Sequence, residues 1–394
     1  MILLSIGENM KKLFGKLDKP LLLLTVLYSV LGLVMVFSSS SVSAVSRYNK
    51  SSSYFFVRQL LFMGVSYIAG IFVILRMPTS KYKYFAPLLI LGVIASLIGL
   101  RIYGDVGNGA LSWYKVGPIK IQPTEFAKSF IIIYLAVYFN SYIKKKNPQP
   151  LAFLKPLCLC GLICGLVLLQ PDLGGAVIIG GIVFFTFFSI PMAKNHKAVF
   201  VKVLGVGAIV AAVAAIYFGG DLLNSYQMER LNFRKPCTRY TEETGYQVCN
   251  GFIAIHNGGL KGVGLGNSTQ KYLYLPEAHT DFIFAILVEE LGVIVAILVI
   301  LGYVYMLYRI LKISKEAETL RGSILCYGTF LFLLFHILVN LLGMLALIPL
   351  TGVPLPLMSY GGSFTVNTII MLFIVQRVAV ENKTIKQRRE IAAL

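Results

Sequence analysis

The sequence predicts an all-α, polytopic membrane protein with ten transmembrane helices and one large extracellular loop between spans seven and eight. Three observations carry that prediction. Of 394 residues, 57% are hydrophobic and only 13% charged, too little polar surface for a water-soluble domain to cover itself. Mean hydropathy is +0.77. Apolar runs near the roughly 20 residues that a bilayer-spanning helix requires recur at about 20–40, 56–75, 84–102, 124–142, 152–169, 172–190, 199–218, 281–308, 323–348 and 357–377.

The first run follows a basic segment, Lys11 to Lys19, and precedes the Ser-rich SSSSVSAVS. From Leu21 to Phe37 it exceeds the roughly 7 to 15 apolar residues of a signal-peptide core, so it is read as a retained span. Ten spans put both termini on one side, with the loops near 76–84, 142–155, 190–202 and 309–322. That side carries well over half of the 36 Lys and Arg residues, in clusters such as Lys144, Lys145, Lys146 and the tail Lys383, Lys386, Arg388, Arg389. By the positive-inside rule it is cytoplasmic. The net charge of +19 is then explained by topology and attraction to anionic lipid, and no nucleic-acid partner is expected. Residues 1–394 form a single membrane domain, with 219–280 as its outward loop and 378–394 as a basic cytoplasmic tail.

Polar segments interrupt this pattern in chain order. The outward loop RIYGDVGNGALSWYKVGPIKIQPTEFAKSF, residues 101–130, enters span four, where Pro123 suits a first helical turn and Glu125 sits near the positive helix end. Lys128, three residues on, shares a face with Glu125. At LQPDLGG, residues 169–175, Asp172 opens span six with almost no loop before it. Each acid reads equally as a helix-start residue or as the wall of an internal polar cavity. The outward loop holds Arg230, Arg234, Lys235, Arg239, Lys261 and Lys271, cations that are either solvated or able to hold a lipid-linked diphosphate.

Gly258 to Gly292 is the densest polar stretch, GGLKGVGLGNSTQKYLYLPEAHTDFIFAILVEELG. Its glycines suit backbone that turns tightly or approaches a ligand closely. Asn267 replaces the last glycine of a dinucleotide fingerprint, which excludes that motif. Asp281 stands where the outward loop re-enters the membrane, and desolvation there raises a carboxyl pKa toward the range of a general base. The same position suits an N-cap of span eight. Farther on, GVPLPLMSYGGS, residues 352–363, reads as a kinked or re-entrant segment, and His336 and Asn340 read as interhelical hydrogen-bonding groups. Cys158, Cys160 and Cys164 lie in one apolar run and read as packing. Cys237 and Cys249 lie in the outward loop, where a disulfide is open either way; it would close a ring contributing about 3 kcal/mol. Scattered histidines and the absence of HExxH or CxxC argue against zinc.

GGLKGVGLGNSTQK, YLPEAHTDFIFA and EELG together closely resemble the SEDS family of bacterial cell-wall polymerases, the FtsW branch more than RodA. The resemblance runs from the first span to SYGGS. IQPTEFAK and QPDLG match that family's signature segments, which implies that Glu125, Lys128 and Asp172 line a cavity between helices. Ser112 stands before Trp113 where the family often carries Arg. The resemblance implies a peptidoglycan glycosyltransferase joining lipid II units through an inverting β-1,4 linkage, with undecaprenyl diphosphate leaving and Asp281 as the catalytic base. Lys261, Lys271 and His279 are the accompanying candidate substrate contacts. The implied partners are lipid II, the growing glycan strand, a class B penicillin-binding protein that crosslinks it, and other division proteins. A divalent cation, Mg or Mn, on the diphosphate suits the chemistry, although no dedicated metal cluster is evident. A lipid II flippase and a non-catalytic scaffold are the alternatives; Glu125, Lys128 and Asp172 suit polymerase and flippase alike, whereas Asp281 separates all three.

Overall fold

The structure, a computed structural model, describes residues 13–107, 110–117, 119–144, 151–192, 195–202, 205 and 232–393. It is a helical bundle. Among the described residues its helices include α1 (Lys19–Ser46), α2 (Tyr54–Ala69), α3 (Tyr82–Tyr103), α4 (Pro123–Ile143), α5 (Leu154–Leu168), α6 (Leu173–Ser189), α7 (Glu243–Gly258), α8 (Ile283–Lys315), α9 (Leu320–Met344) and α10 (Gly362–Ala392). In hydrocarbon a helix satisfies its own backbone polar groups, which is why such apolar runs fold this way. Side chains close several ends: Asp18 accepts from Leu21 N–H at the start of α1, and Thr319 from Gly322 N–H at the start of α9.

Among the described residues seven helical segments are long and apolar enough to cross a membrane, and α5 and α6 are shorter apolar helices. The chain is accordingly a multi-pass membrane protein. Predicted span seven (199–218) falls largely outside the described residues, as do Lys11, Lys145, Lys146 and Arg230. Of the apolar window of α10, 83% is buried, against 22% for the span Tyr54–Ile74, so α10 is central and α2 peripheral. A π-turn at Gly70–Ile74 continues α2, and Phe373 of α10 packs on Gly70 so closely that a Cβ there would lie 2.2 Å from its ring.

Two features depart from a purely helical reading. The loop into α4 forms a small antiparallel sheet, β1 (Asp105–Gly107), β2 (Ala110–Val116) and β3 (Ile119–Ile121), in the order β1-β2-β3. Tyr114 of β2 ties it to α3 by donating to the Ser96 carbonyl at 2.7 Å. The segment before α8 also contains α7, joined to the preceding 3-10 turn Pro236–Arg239 by a Cys237–Cys249 disulfide.

Helix α8 is interrupted at Gly292, whose φ of 82° and ψ of 168° are not helical. The glycine turn after α7 fills the break. Val263 and Gly264 N–H donate to the Glu289 and Glu290 carbonyls, each at 2.9 Å, while Val293 and Ile294 N–H donate to the Gly259 and Leu260 carbonyls at 3.0 and 3.3 Å. Backbone groups freed by the break are thereby satisfied by a second stretch of chain. The approach excludes side chains: a Cβ on Gly262 would lie 2.3 Å from the Glu290 carbonyl oxygen, and one on Gly292 would lie 2.4 Å from that of Leu260. The apolar run 281–308 predicts one continuous span, because a lone glycine in such a run carries no sign of a backbone insertion.

At the opposite end, Asp18 pairs with Arg309 of α8, and Gln376 of α10 bonds both the N–H and the carbonyl of Asp18 at 2.8 and 3.0 Å. Three helices are thus pinned at one residue. Gly292→Ala places a side chain at positive φ against a carbonyl, and we expect a loss on the order of 1–3 kcal/mol from backbone strain before any clash. Thermal unfolding of the detergent-solubilised protein should show a clearly lower midpoint, whereas Gly161→Ala in α5, where a Cβ would meet nothing within 4 Å, should not.

Candidate functional site

The first half of α8 begins beside the α9–α10 junction, which grips the preceding turn. Tyr360 N–H donates to the His279 carbonyl at 2.9 Å, Ser359 Oγ to the Thr280 carbonyl at 2.6 Å, and Asn340 Nδ2 to the Asp281 carbonyl at 2.8 Å. Three consecutive carbonyls are therefore held by α9 and the connection from α9 to α10. The grip is itself braced: Asn340 also donates to the Val353 carbonyl at 2.8 Å, and Ser359 Oγ accepts from Leu355 N–H at 2.8 Å. Asp281 is half-buried, and the capping position of α8 falls on Phe282, one residue beyond the aspartate that the sequence offers as a cap. His279 is buried between Phe55 and Tyr360. Burial holds its imidazole pKa below the ordinary value, against the opposing pull of Glu277.

Glu289 and Glu290 close this half of α8, and both are fully buried. Buried carboxylates require partners, and each has its own set. Glu290 pairs with Lys271 Nζ at 3.0 Å and accepts from Ser38 Oγ of α1 at 2.6 and 2.8 Å. Lys271 Nζ also donates to the Gly266 carbonyl at 2.5 Å. Glu289 accepts from the Ser268 hydroxyl, from Thr269 Oγ1 at 2.9 Å and from Thr269 N–H at 3.2 Å, and from Asn257 Nδ2 at 3.2 Å. One acid thus shapes the 268–270 turn and the other anchors Lys271. Lys271 is the counter-charge of Glu290, while Lys261 lies exposed on the glycine turn.

A second cluster lies in the bundle. Lys128 Nζ donates to Glu125 Oε1 at 2.8 Å and meets His336 Nε2 at 3.0 Å. His336 Nδ1 lies 2.7 Å from the Phe332 carbonyl, which can only accept, so the proton resides on Nδ1 and Nε2 accepts from Lys128. Asn367 Nδ2 holds the Glu125 carbonyl at 2.9 Å. Asp172 caps α6 by accepting from Gly175 N–H at 2.7 Å. A Cβ at Gly175 would meet both Asp172 Oδ2, at 2.5 Å, and Thr124 Cγ2, at 2.8 Å, so the Asp172 carboxylate lies near Thr124 in the first turn of α4.

Six of the seven predicted site residues thus fall into two groups, His279, Lys271 and Asp281 around the first half of α8, and Glu125, Lys128 and Asp172 around the start of α4, while Lys261 stands apart on the glycine turn. His336 and Asn340, one helical turn apart on α9, adjoin one group each. Both are the interhelical hydrogen-bonding groups that the sequence suggests; which backbone or side-chain group each one meets was not legible there. Among the described residues no group of three or more His, Cys, Asp or Glu is placed to hold a metal.

The sequence matches, over residues 19–384, the FtsW, RodA and SpoVE family profile described as "Cell cycle protein". It is 38% identical over 363 residues to the "Probable peptidoglycan glycosyltransferase FtsW" of Bacillus subtilis (strain 168), covering 90% of this chain and 88% of that one. It is 35% identical over 351 residues to "Stage V sporulation protein E" of the same strain, covering 88% and 92%. The fold is similar to the rod shape determining protein RodA of Thermus thermophilus, with a TM-score of 0.65 at 24% identity over 93% of this chain and 97% of that one. It is also similar, with a TM-score of 0.72 at 24% identity over 93% and 98%, to a chain in "Structural coordination of polymerization and crosslinking by a peptidoglycan synthase complex".

Removing one member of a buried ion pair strands the other, at about 3–5 kcal/mol, whereas replacing both is far milder. Lys271→Met should therefore lower the thermal midpoint strongly, and Lys271→Met with Glu290→Gln should recover most of the loss; equal midpoints for the single and double variants would contradict this pairing.

Proposed function

Because this chain belongs to the cell cycle protein family of FtsW, RodA and SpoVE, we propose that it is a peptidoglycan glycosyltransferase polymerising lipid II into β-1,4 glycan strands in cell division. The observation that carries the site assignment is the grip on the carbonyls of His279, Thr280 and Asp281. Preorganised backbone of this kind suits a residue that must meet a reacting group in one geometry.

In this reading Asp281 takes the proton of an acceptor hydroxyl as its oxygen attacks the anomeric carbon of the donor. The bond to undecaprenyl diphosphate breaks on the opposite face, giving inversion. Lys261 contributes positive charge to the departing diphosphate. Lys271 holds the wall through Glu290, and Glu125, Lys128 and Asp172 set the packing of α4 and α6 against α9. A divalent cation, Mg or Mn, would be carried by the diphosphate; among the described residues no group of three or more His, Cys, Asp or Glu is placed to hold one. A class B penicillin-binding protein is the proposed partner, together with other division proteins. The similar fold in a peptidoglycan synthase complex supports that pairing.

The proposed topology has ten spans, both termini cytoplasmic and 219–280 outside. It is supported by the Lys and Arg asymmetry, and it puts Asp281 at the outer membrane surface. Membrane-impermeant thiol labelling of single introduced cysteines should modify Glu243→Cys in intact cells and spare Lys386→Cys; the reverse pattern would invert the topology.

Asp281→Asn keeps the shape of the side chain and removes the base, so polymerisation of purified lipid II should fall by about 10²–10⁴ with partner binding and thermal midpoint nearly unchanged. A flippase would instead be revealed by transfer of labelled lipid II across proteoliposome membranes without glycan product. Parental polymerisation by the folded Asn variant would remove Asp281 from the chemistry.

A further inference from the structure

A cavity of about 310 Å³ opens between the C-terminal turns of α1 and the segment that leads into α8. Its walls include Ser39 and Ser43 on one side, Lys271 and His279 on the other, with Arg47 and Glu277 also lining it. Binding pockets run from about 300 to 1,000 Å³, so this one is sized for a single small ring system.

Charge narrows the occupant. Lys271 is spent on Glu290 at 3.0 Å, and the other two charged lining residues, Arg47 and Glu277, are of opposite sign, leaving no net positive charge for an anion. The remaining chemistry is hydroxyl and imidazole. Ser39 donates to the Met35 carbonyl at 2.7 Å and Ser43 to the Ser40 carbonyl at 3.0 Å, which leaves their oxygen lone pairs available to accept. His279 is only 6% exposed, yet its ring nitrogens make no hydrogen bond among the described residues, and the ring lines the cavity. A buried polar ring without a protein partner implies a partner from elsewhere. Tyr48 adds an aromatic wall, and rings of this kind offer an apolar face beside a polar tip.

We infer that this cavity is a neutral-sugar subsite, taking one amino-sugar ring of the glycan through hydrogen bonds to His279 and the α1 serines. The inference rests on the polymerase reading and deepens it, since His279 stands two residues before Asp281 and its carbonyl belongs to the same gripped turn. The occupant is recognised by hydroxyl and amide groups; the lipid diphosphate lies outside this cavity.

The test uses the full-length protein in detergent with two soluble probes, a lipid-free tetrasaccharide of the glycan and inorganic diphosphate. Amide hydrogen exchange across 271–281 should slow with the tetrasaccharide and stay unchanged with diphosphate. Ser43→Phe, which fills the cavity, should abolish that protection and raise the KM for lipid II about tenfold with kcat within about twofold; Ser46→Phe serves if Ser43→Phe does not fold. Protection by diphosphate alone, or equal tetrasaccharide protection in the filled variant, would overturn the sugar subsite while leaving polymerisation by the parent intact. Parental activity in Asp281→Asn with saccharide protection retained would remove the base assignment and leave the subsite standing.

Discussion

The arrangement depends on one backbone interaction, the exchange of hydrogen bonds between the glycine turn after α7 and the break in α8 at Gly292. A helix broken at membrane depth exposes amides and carbonyls that cost several kcal/mol each in hydrocarbon if unsatisfied. Here Val263, Gly264, Val293 and Ile294 pair across the break, so the glycine turn is inserted into the helix as part of its hydrogen-bonding pattern. Glycine is required where two backbones approach within contact distance and at positive φ, which explains why Gly262 and Gly292 fall where they do.

That insertion fixes the direction of the short first half of α8, and with it the two acids that end it. Glu289 and Glu290 are adjacent in sequence and serve different elements. Successive helical positions point about 100° apart, so one acid meets the 268–270 turn and the other meets α1 and Lys271. Full burial makes these contacts obligatory, because an uncompensated carboxylate in the bundle would be strongly destabilising. The 268–271 segment, α1 and α8 are consequently coupled through a single turn of helix.

The other end of the same half-helix is held by groups from α9 and the α9–α10 junction. The result is a short rigid segment bounded by Asp281 and Gly292, with backbone anchors at one end and charge anchors at the other. Such a segment suits chemistry at a membrane surface, where water and lipid compete for every polar group. The separate cluster of Glu125, Lys128 and His336 is reached through α9, since His336 and Asn340 lie on neighbouring turns of that helix. A shift of α9 along its axis would disturb both polar regions together.

Composition and hydropathy alone determined that the chain is a multi-pass helical membrane protein, because burying so many apolar residues admits few other solutions. Local spacing likewise determined the pairing of Glu125 with Lys128, which needs only the helical repeat. Motif resemblance singled out the segment around Asp281 without its geometry. The break at Gly292, the partners of Glu289 and Glu290, the joining of His336 to Lys128, the Cys237–Cys249 bridge and the grip of Asn340, Ser359 and Tyr360 were decided only in three dimensions. Each links residues whose approach depends on how helices pack or loops fold back, and neither side-chain type nor local periodicity encodes which distant backbone group a donor will meet.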